Sequence, residues 1–286
     1  MPNFALFGYI EFMKDKKVLN ISSEVVPYLP QTNQAINSFK IPKNINDHGG
    51  QTRIFMPRYG LINERRHQLH EVIRLSGMNL VINDVDMPLI IKVASIPKER
   101  MQVYFIDNEE YFKKKFIFKG ADGKYFKDND ERSMFFSRGV LETVKKLGWI
   151  PDIVHCHGWM TALMPVYLKS MYKNDPHFSN AKVIYTVYNQ DKKLKFSKDF
   201  KTKLSFDEIP TEKLNLQEVT DVNKLHEIGC NWSDAVSIGS AEIDEKILKH
   251  TQNSVKSLLE YHDEEQTIEA HQNFYDKVLS ENGVLA

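Results

Sequence analysis

Short apolar segments alternate with amphipathic stretches along much of this chain. Apolar positions at helical spacing predict helices at residues 130–147 and 161–172. Strand, helix, strand in succession is typical of parallel βαβ units, so the pattern predicts an α/β fold with a mostly parallel sheet. The strands of that sheet are predicted from five apolar runs bounded by polar residues, Pro or Gly, at 18–22, 51–56, 152–155, 183–187 and 235–238.

The segment from 69 to 107 has a different pattern. Four apolar runs follow one another closely there, at 71–75, 78–82, 88–94 and 101–106. Their spacing, with Asn, Asp, Gly or Pro between them, predicts β-hairpins inserted into the sheet. A helix at 33–46 is predicted only weakly, because Pro42 interrupts its apolar spacing.

The C-terminal part of the chain is predicted to be largely helical. Helical periodicity marks residues 214–228, 241–250 and 254–279. The apolar stripe on the last helices either covers the sheet or forms a dimer face. Residues 192–203 form a basic run with aromatic residues, for which a solvated loop is the prediction and a polyanion-binding segment the alternative. Asp130 is predicted to cap the helix that follows it.

The pattern of apolar and polar positions divides the chain into three predicted parts. Residues 1–15 are predicted to be a poorly packed extension, because the first confident strand begins only after the polar run at 14–17. Residues 16–240 form the predicted α/β domain, and residues 241–286 form helices packed on it.

Composition and charge exclude several classes of partner. The chain has 286 residues, enough for one large domain or two small ones. Its 38 Lys and Arg residues balance 38 Asp and Glu residues, so we expect no nucleic-acid partner and no anionic membrane partner. No apolar stretch approaches the roughly 18 residues that span a bilayer. Two distant cysteines indicate no disulfide framework and favour a reducing cytoplasm.

The chemical motifs predict neither a cofactor nor a metal. There is no GxGxxG, GxxxxGK[ST] or GxSxG pattern. The sequence HCHGW at 155–159 ends a predicted strand, and strand alternation places His155 and His157 on one face and Cys156 on the other, which is unfavourable for a shared metal. Because ligands bind at the carboxyl ends of strands in such sheets, a sugar or nucleotide contact is one interpretation. The other is that one His packs in the interior while its neighbour is solvated.

Several ordered motifs from residue 16 to 249 together resemble the bacterial glycogen and starch synthases. The closest match is to short, single-domain proteins of that family. The motifs are KVLNISSEVVP at 17–27, RIFMPRYG at 53–60, VYFIDN at 103–108, NDER and FFSR at 129–138, LGWIPDIVHCHGW at 147–159 followed by TAL, and WSDAVSIGS at 232–240. The last is similar to the family's "YAD-x-V-T-x-V-S".

The resemblance implies a fold, a reaction and a set of site residues. The fold is the Rossmann-like N-terminal domain of a GT-B glycosyltransferase, and the family reaction is glucosyl transfer from ADP-glucose to an α-1,4-glucan. The ligands that the resemblance implies are an α-glucan and, as a second candidate, ADP-glucose. The resemblance identifies no confident catalytic residue, and the candidate substrate-binding residues are Glu24, His155, His157, Trp159, Thr161, Tyr188 and Asn189.

The chain also departs from the family pattern. The family's Lys-Thr-Gly-Gly-Leu loop is replaced by residues 30–34, PQTNQ. Gly158 replaces the Asp of "H-x-H-D-W", and Tyr188 replaces the His of "T-V-H-N". The family's second, nucleotide-binding domain is not represented, so a partner chain would have to supply it. Two hypotheses follow: a synthase-like protein that is inactive or partner-dependent when alone (a pseudoenzyme candidate), and a non-catalytic glucan-binding or regulatory module.

Overall fold

A ten-stranded sheet organises this chain, as seen in a computed structural model that describes residues 13–216, 218–255 and 257–280. The strands are β1 (Lys17–Ser22), β2 (Gln51–Pro57), β3 (His70–Glu71), β4 (Met78–Ile82), β5 (Val85–Ile96), β6 (Met101–Asp107), β7 (Ile153–His157), β8 (Lys182–Val187), β9 (Ala235–Ile238) and β10 (Leu258–Leu259). They lie in the order β10-β9-β8-β7-β1-β2-β6-β5-β3, and β4 pairs with β5.

Most neighbouring strands are parallel, as predicted. β6, β2, β1, β7, β8, β9 and β10 run in the same direction. The predicted hairpin insertion is also confirmed, because β5 pairs antiparallel with β6, β4 and β3. The predicted strand at 71–75 is wrong in extent, since β3 covers only His70–Glu71.

Nine helices connect or cover the strands in the described part of the chain. They are α1 (Asn33–Asp47), α2 (Glu64–His67), α3 (Glu109–Phe112), α4 (Asn129–Lys146), α5 (Met164–Lys169), α6 (Phe200–Phe206), α7 (Val222–Asn231), α8 (Glu245–Ser254) and α9 (Thr267–Ser280). Among the described residues, none of these helices is long and apolar enough to cross a bilayer.

The helix α1 is complete despite Pro42, so the weak prediction for this segment underestimated it. Proline has no N–H to donate to the carbonyl of Ser38, four residues earlier. The Asn20 side chain on β1 supplies the missing donor, with 3.2 Å between its Nδ2 and the Ser38 carbonyl oxygen. At the start of the helix, Thr32 Oγ1 accepts a hydrogen bond from the Ala35 N–H. A tertiary contact therefore offsets the local cost of the proline.

The two faces of the sheet are covered by different helices. On one face, an extensive apolar cluster joins the sheet to α4 and α5. On the other face, Phe274, Tyr275 and Val278 of α9 pack in a smaller cluster with sheet residues such as Ile153 and Ile184. The apolar stripe of the last helix therefore covers the sheet, which was one of its two interpretations.

Several predicted boundaries in the C-terminal third are wrong. The predicted helix at 254–279 is broken by the short strand β10, and only Thr267–Ser280 is helical after it. The predicted helix at 214–228 begins only at Val222. Of the predicted extension at residues 1–15, residues 1–12 lie outside the described residues. Met13 is fully buried, whereas Lys14 and Asp15 are exposed.

The basic run at 192–203 is not simply a solvated loop. Leu194, Phe196 and Phe200 are buried in the main core. Lys203 is buried with them, and its Nζ lies 2.9 Å from Asp130 Oδ2. The predicted capping role of Asp130 is therefore wrong, because this carboxylate lies in the first turn of α4 and faces the buried ammonium group.

We expect the Lys203→Met substitution to destabilise the fold by about 3–5 kcal/mol, because it leaves the fully buried Asp130 carboxylate without its cation. Urea denaturation measures this loss. The matched control is Lys201→Met, at an exposed position of the same helix, with an expected change within about 0.5 kcal/mol. Equal stability of the two variants would contradict the structural role given to this ion pair.

Candidate functional site

Four adjacent parallel strands end together at the carboxyl edge of the sheet. They are β9, β8, β7 and β1, in that spatial order. This is the edge where ligands bind in open α/β sheets. The residues that end or directly follow these strands are Ser22, Ser23, Glu24, His157, Gly158, Tyr188, Asn189, Gly239 and Ser240.

His157, at the end of β7, is fully buried and hydrogen-bonded at both ring nitrogens. Its Nε2 lies 2.9 Å from Asn20 Oδ1, and its Nδ1 lies 3.0 Å from the Tyr188 hydroxyl. Because the Asn20 amide oxygen can only accept, Nε2 carries the proton and the Tyr188 hydroxyl donates to Nδ1. Burial, and next the nearby His271, lower the pKa of His157 to about 3. The ring is therefore neutral at pH 7.

His155 lies on the same face of β7, and its ring centroid is 4.0 Å from that of His157, which confirms the predicted alternation. Its Nδ1 is 2.6 Å from the Tyr275 hydroxyl of α9, and its Nε2 is 2.6 Å from Thr186 Oγ1 on β8. The Thr186 hydroxyl in turn contacts Ser237 Oγ on β9. Burial lowers the pKa of His155 well below its ordinary value. Both histidines thus belong to one buried polar network.

Gln34, in the first turn of α1, holds the ends of β1 and β7 together. Its Nε2 lies within hydrogen-bond distance of Ser22 Oγ, Ser23 Oγ and the His157 carbonyl oxygen, at 3.1, 2.9 and 3.1 Å. The same side chain covers Gly158, where an added Cβ would lie 2.5 Å from Gln34 Oε1. Gly158 also has a φ of +76°, which side-chain-bearing residues rarely adopt. The glycine and the glutamine therefore depend on each other.

Tyr188 and Gly239 form a second pair of this kind. The Tyr188 ring packs so closely on Gly239 that a Cβ there would overlap the ring. The Tyr188 hydroxyl also accepts a hydrogen bond from Asn37 Nδ2 at 3.4 Å. Position 239 must remain glycine as long as the tyrosine occupies this place.

The seven predicted site residues differ widely in accessibility. His155, His157, Trp159, Thr161 and Tyr188 are buried, Glu24 is half-buried, and Asn189 is exposed. The Trp159 ring packs edge-on against Phe118 and Phe196 in the core. The Thr161 hydroxyl donates to the Gly158 carbonyl oxygen at 2.9 Å. Sugar contact stays a prediction for all seven, and only Glu24 and Asn189 have accessible surface at this edge.

The two residues with accessible surface, Glu24 and Asn189, also form hydrogen bonds with neighbouring residues. Glu24 accepts a hydrogen bond from the Thr32 hydroxyl at 2.7 Å, and burial raises the pKa of its carboxyl group. The Asn189 N–H donates to Ser240 Oγ at 3.1 Å, which fixes its backbone while its side chain faces solvent.

The cavities at this edge are small. One, beside Asn189 and Asp244, has a volume of about 10 Å³, and another, between Asn37 and Tyr261, has about 40 Å³. The first has room for about one water molecule, and both are far below the roughly 300 Å³ at which ligand pockets begin. Over the described ranges there is no group of His, Cys, Asp and Glu side chains arranged to hold a metal ion.

Sequence reasoning missed the residues that close this edge. Gln34 and Asn37 come from α1, which was predicted only weakly, and Ser240 follows the last predicted strand. The available signal was the parallel order of the strands, because it brings the residues after each strand to one edge.

Comparison with protein families identifies the chain. The model of the family described as starch synthase catalytic domain matches residues 17–261. This chain belongs to that family. The match includes all seven predicted site residues and the four strand ends described above.

Curated glycogen synthases are among the relatives in sequence. The one from Chlorobium limicola is 41% identical over 174 residues, which cover 60% of this chain and 36% of the relative. The one from Chlorobium phaeovibrioides is 34% identical over 239 residues, which cover 83% of this chain and 48% of the relative. The matched regions thus span between about a third and a half of the length of these relatives.

A solved structure supports the fold. The catalytic domain of starch synthase IV from Arabidopsis thaliana, bound to ADP and acarbose, aligns with a TM-score of 0.68 and 16% sequence identity. The alignment covers 88% of this chain and 53% of that one. At this identity the likeness concerns the fold, and it agrees with the predicted GT-B half.

The departures of this family member from the starch synthase pattern occur in contacting pairs. Gln34, in the stretch that replaces the Lys-Thr-Gly-Gly-Leu loop, fills the space beside Gly158, which replaces an Asp. Tyr188, which replaces a His, fills the space beside Gly239, where the family pattern has Val. In each pair a side chain packs closely against a glycine across the edge, so neither glycine has room for a Cβ.

We expect Gly158→Ala to destabilise the fold by about 2–4 kcal/mol, from backbone strain and from displacement of the hydrogen-bonded Gln34 amide. The control is Gly148→Ala, because Gly148 also has a positive φ of +60° but has open space at its Cβ. Urea denaturation should show at least about 1 kcal/mol more loss for Gly158→Ala. Equal losses would mean that strain alone, without Gln34, makes the glycine necessary.

We expect fold stability to fall as the pH drops from about 6.5 towards 4. Burial lowers the pKa of His157 to about 3 and of His271 to about 4, whereas an unfolded histidine titrates near 6.5. Below 6.5 the unfolded chain therefore binds protons that the folded chain does not, at roughly 1 kcal/mol per pH unit for each buried histidine.

Urea denaturation at pH 7.5, 6.5, 5.5 and 5.0 measures this dependence. The His271→Gln variant should show a shallower slope, and His70→Gln, at an exposed position, should keep the slope of the unmodified chain. Constant stability between pH 7.5 and 5.0 would rule out neutral buried histidines as a major contribution.

Proposed function

We propose that this chain acts in α-glucan metabolism as a starch synthase-like protein that binds glucan and does not itself transfer glucose from ADP-glucose. The packing of Gln34 against Gly158 carries the second half of this proposal. The stretch 30–34 that contains Gln34 lacks the lysine and the two glycines of the family's loop, and Gly158 replaces the family's aspartate.

Glucosyl transfer from a nucleotide sugar requires stabilisation of a diphosphate leaving group. Cations and backbone amides that point at the phosphates usually provide this stabilisation, and glycines let the backbone approach them. At the carboxyl edge of this chain, the neutral Gln34 amide is directed instead at Ser22, Ser23 and His157 of the protein itself. This hydrogen bonding favours an edge that does not hold a diphosphate.

Glucan binding is the activity that the remaining surface supports. Asn189 is exposed at the end of β8, and Glu24 is half-buried beside β1. Amide and carboxylate groups of this kind hydrogen-bond sugar hydroxyls without needing a charged ligand. We also keep the cytoplasm as the proposed compartment, because Cys156 and Cys230 are both free thiols.

The transfer assay uses the purified chain with ADP-glucose and glycogen, and a bacterial glycogen synthase as the positive control. We expect no ADP release above the background without enzyme, and no rise in melting temperature with ADP-glucose. Glycogen should nevertheless retain the chain in co-sedimentation. Glucose transfer by the chain alone would refute the non-catalytic part of the proposal.

A matched pair of variants tests where glucan binds. Asn189→Ala should weaken co-sedimentation with glycogen at least about threefold, by removing one sugar hydrogen bond. The control, Asn253→Ala, changes another exposed asparagine on α8 and should leave binding unchanged. Equal binding by both variants would remove Asn189 from the glucan site.

A partner-dependent enzyme is the second candidate function. Asn189 and Glu24 would then present acceptor while a second chain supplies the nucleotide-binding domain. Transfer that appears only when such a chain is added, and disappears in the Asn189→Ala variant, would favour this candidate over a binding module.

A further inference from the structure

The opposite, amino edge of the sheet has an open groove of about 180 Å³. It lies where β2 and β6 begin and where the chain leaves α4. Its walls combine two arginines, two aromatic rings and neutral polar side chains, namely Arg53, Arg100, Tyr104, Trp149, Gln51 and Gln102. The groove is thus separate from the carboxyl edge at which glucan binding is proposed.

Arg53 lies against two aromatic rings inside this groove. Its guanidinium carbon is 5.4 Å from the Tyr104 ring centroid and 5.3 Å from that of Trp149. The Tyr104 hydroxyl accepts a hydrogen bond from Arg53 Nη1 and donates to Gln102 Oε1 at 3.3 Å. These contacts hold the planar fork of the arginine in one orientation, which reduces the entropy lost when a ligand binds.

The two arginines of the groove are not paired with a carboxylate in the part of the chain that the structure describes. Neither Arg53 nor Arg100 has a carboxylate of the described residues within ion-pair distance. The Nε of Arg53 is buried and has no hydrogen-bond partner among those residues. Stacking on the rings offsets part of the cost of burying this charge. Within the described ranges, the charges of Arg53 and Arg100 are therefore available to an anion in the groove.

Phosphate is the anion that this geometry fits best. Guanidinium groups bind phosphate through paired N–H donors, and two arginines provide the charge for a dianion. Gln51 and Gln102 are exposed along the same groove and can hydrogen-bond hydroxyl groups. At about 180 Å³ the groove is below the roughly 300 Å³ of an enclosed ligand pocket, so a ligand there must be small and stay partly in solvent.

We propose that this groove binds a small phosphorylated polyol, such as a sugar monophosphate. Its phosphate contacts Arg53 and Arg100, and its hydroxyls contact Gln51 and Gln102. This inference is independent of the glucan-binding proposal, since it concerns different residues at the other edge of the sheet.

Titration of the full chain with glucose 6-phosphate, followed by calorimetry, tests the proposal. We expect saturable binding with a dissociation constant of about 1 mM or lower, which weakens as salt is added. Glucose should bind at least about tenfold more weakly, because it lacks the charge-assisted contacts. Absence of saturation, or equal affinity for glucose and glucose 6-phosphate, would overturn the phosphate assignment.

Arg100→Gln is the decisive variant, because Arg100 is exposed and its loss leaves the core unchanged. Lys98→Gln is its matched control: it removes one charge from the same turn, and both residues have a positive φ. The first should weaken binding at least about tenfold and the second less than about twofold. Equal effects would show that binding reflects local charge density rather than this groove.

Titration with inorganic phosphate tests the phosphate contact separately from the hydroxyl contacts. We expect it to bind at least about threefold more weakly than glucose 6-phosphate, since it offers no hydroxyls to Gln51 and Gln102. Equal affinity would overturn the polyol part. Trp149 fluorescence should change on binding, because its ring contacts Arg53, and a Trp149→Phe variant should lose that change.

Discussion

The structure depends on the hydrogen-bonding demand of two neighbouring histidines on the buried face of the central strand β7. Because burial keeps the rings of His155 and His157 neutral, each ring nitrogen needs a partner from another element. β1 supplies Asn20, the end of β8 supplies Tyr188, and α9 supplies Tyr275. The network thus ties the centre of the sheet to its C-terminal helix, and an apolar cluster alone would not define that position as narrowly.

The need of the buried histidines for hydrogen-bond partners also determines which side chains occupy the carboxyl edge. A tyrosine that donates to His157 must place its ring over Gly239, so the family's valine does not fit there. Gln34 likewise fills the space at Gly158 and uses its amide on the strand ends. Gln34 and Tyr188 thus both hydrogen-bond groups of the protein itself. The proposed absence of glucosyl transfer therefore rests on side chains that also hydrogen-bond the strand ends.

Periodicity and strand order were sufficient to predict the parallel sheet, the hairpin insertion and the shared face of the two histidines. The misses have specific tertiary causes. Asn20 completes a helix that Pro42 made improbable, and Asp130 faces Lys203 instead of capping α4. The individual motif changes were visible in the sequence, but their pairing was not, because positions 34 and 158 meet only after β1 and β7 lie side by side. In each of these cases the structure depends on a contact between segments that are distant in the sequence.

The chain has equal numbers of cationic and acidic residues, but the polar side chains at the two edges of the sheet differ in how far the protein itself pairs them. With 38 cationic and 38 acidic side chains, the sequence predicts no global field for a polyanion. A local field needs only cations without carboxylate partners, and Arg53 and Arg100 at the amino edge meet that condition among the described residues. At the carboxyl edge, in contrast, Gln34 and the two histidines are hydrogen-bonded to the protein itself. An anion is therefore expected at the edge opposite to the one where this fold usually binds ligands.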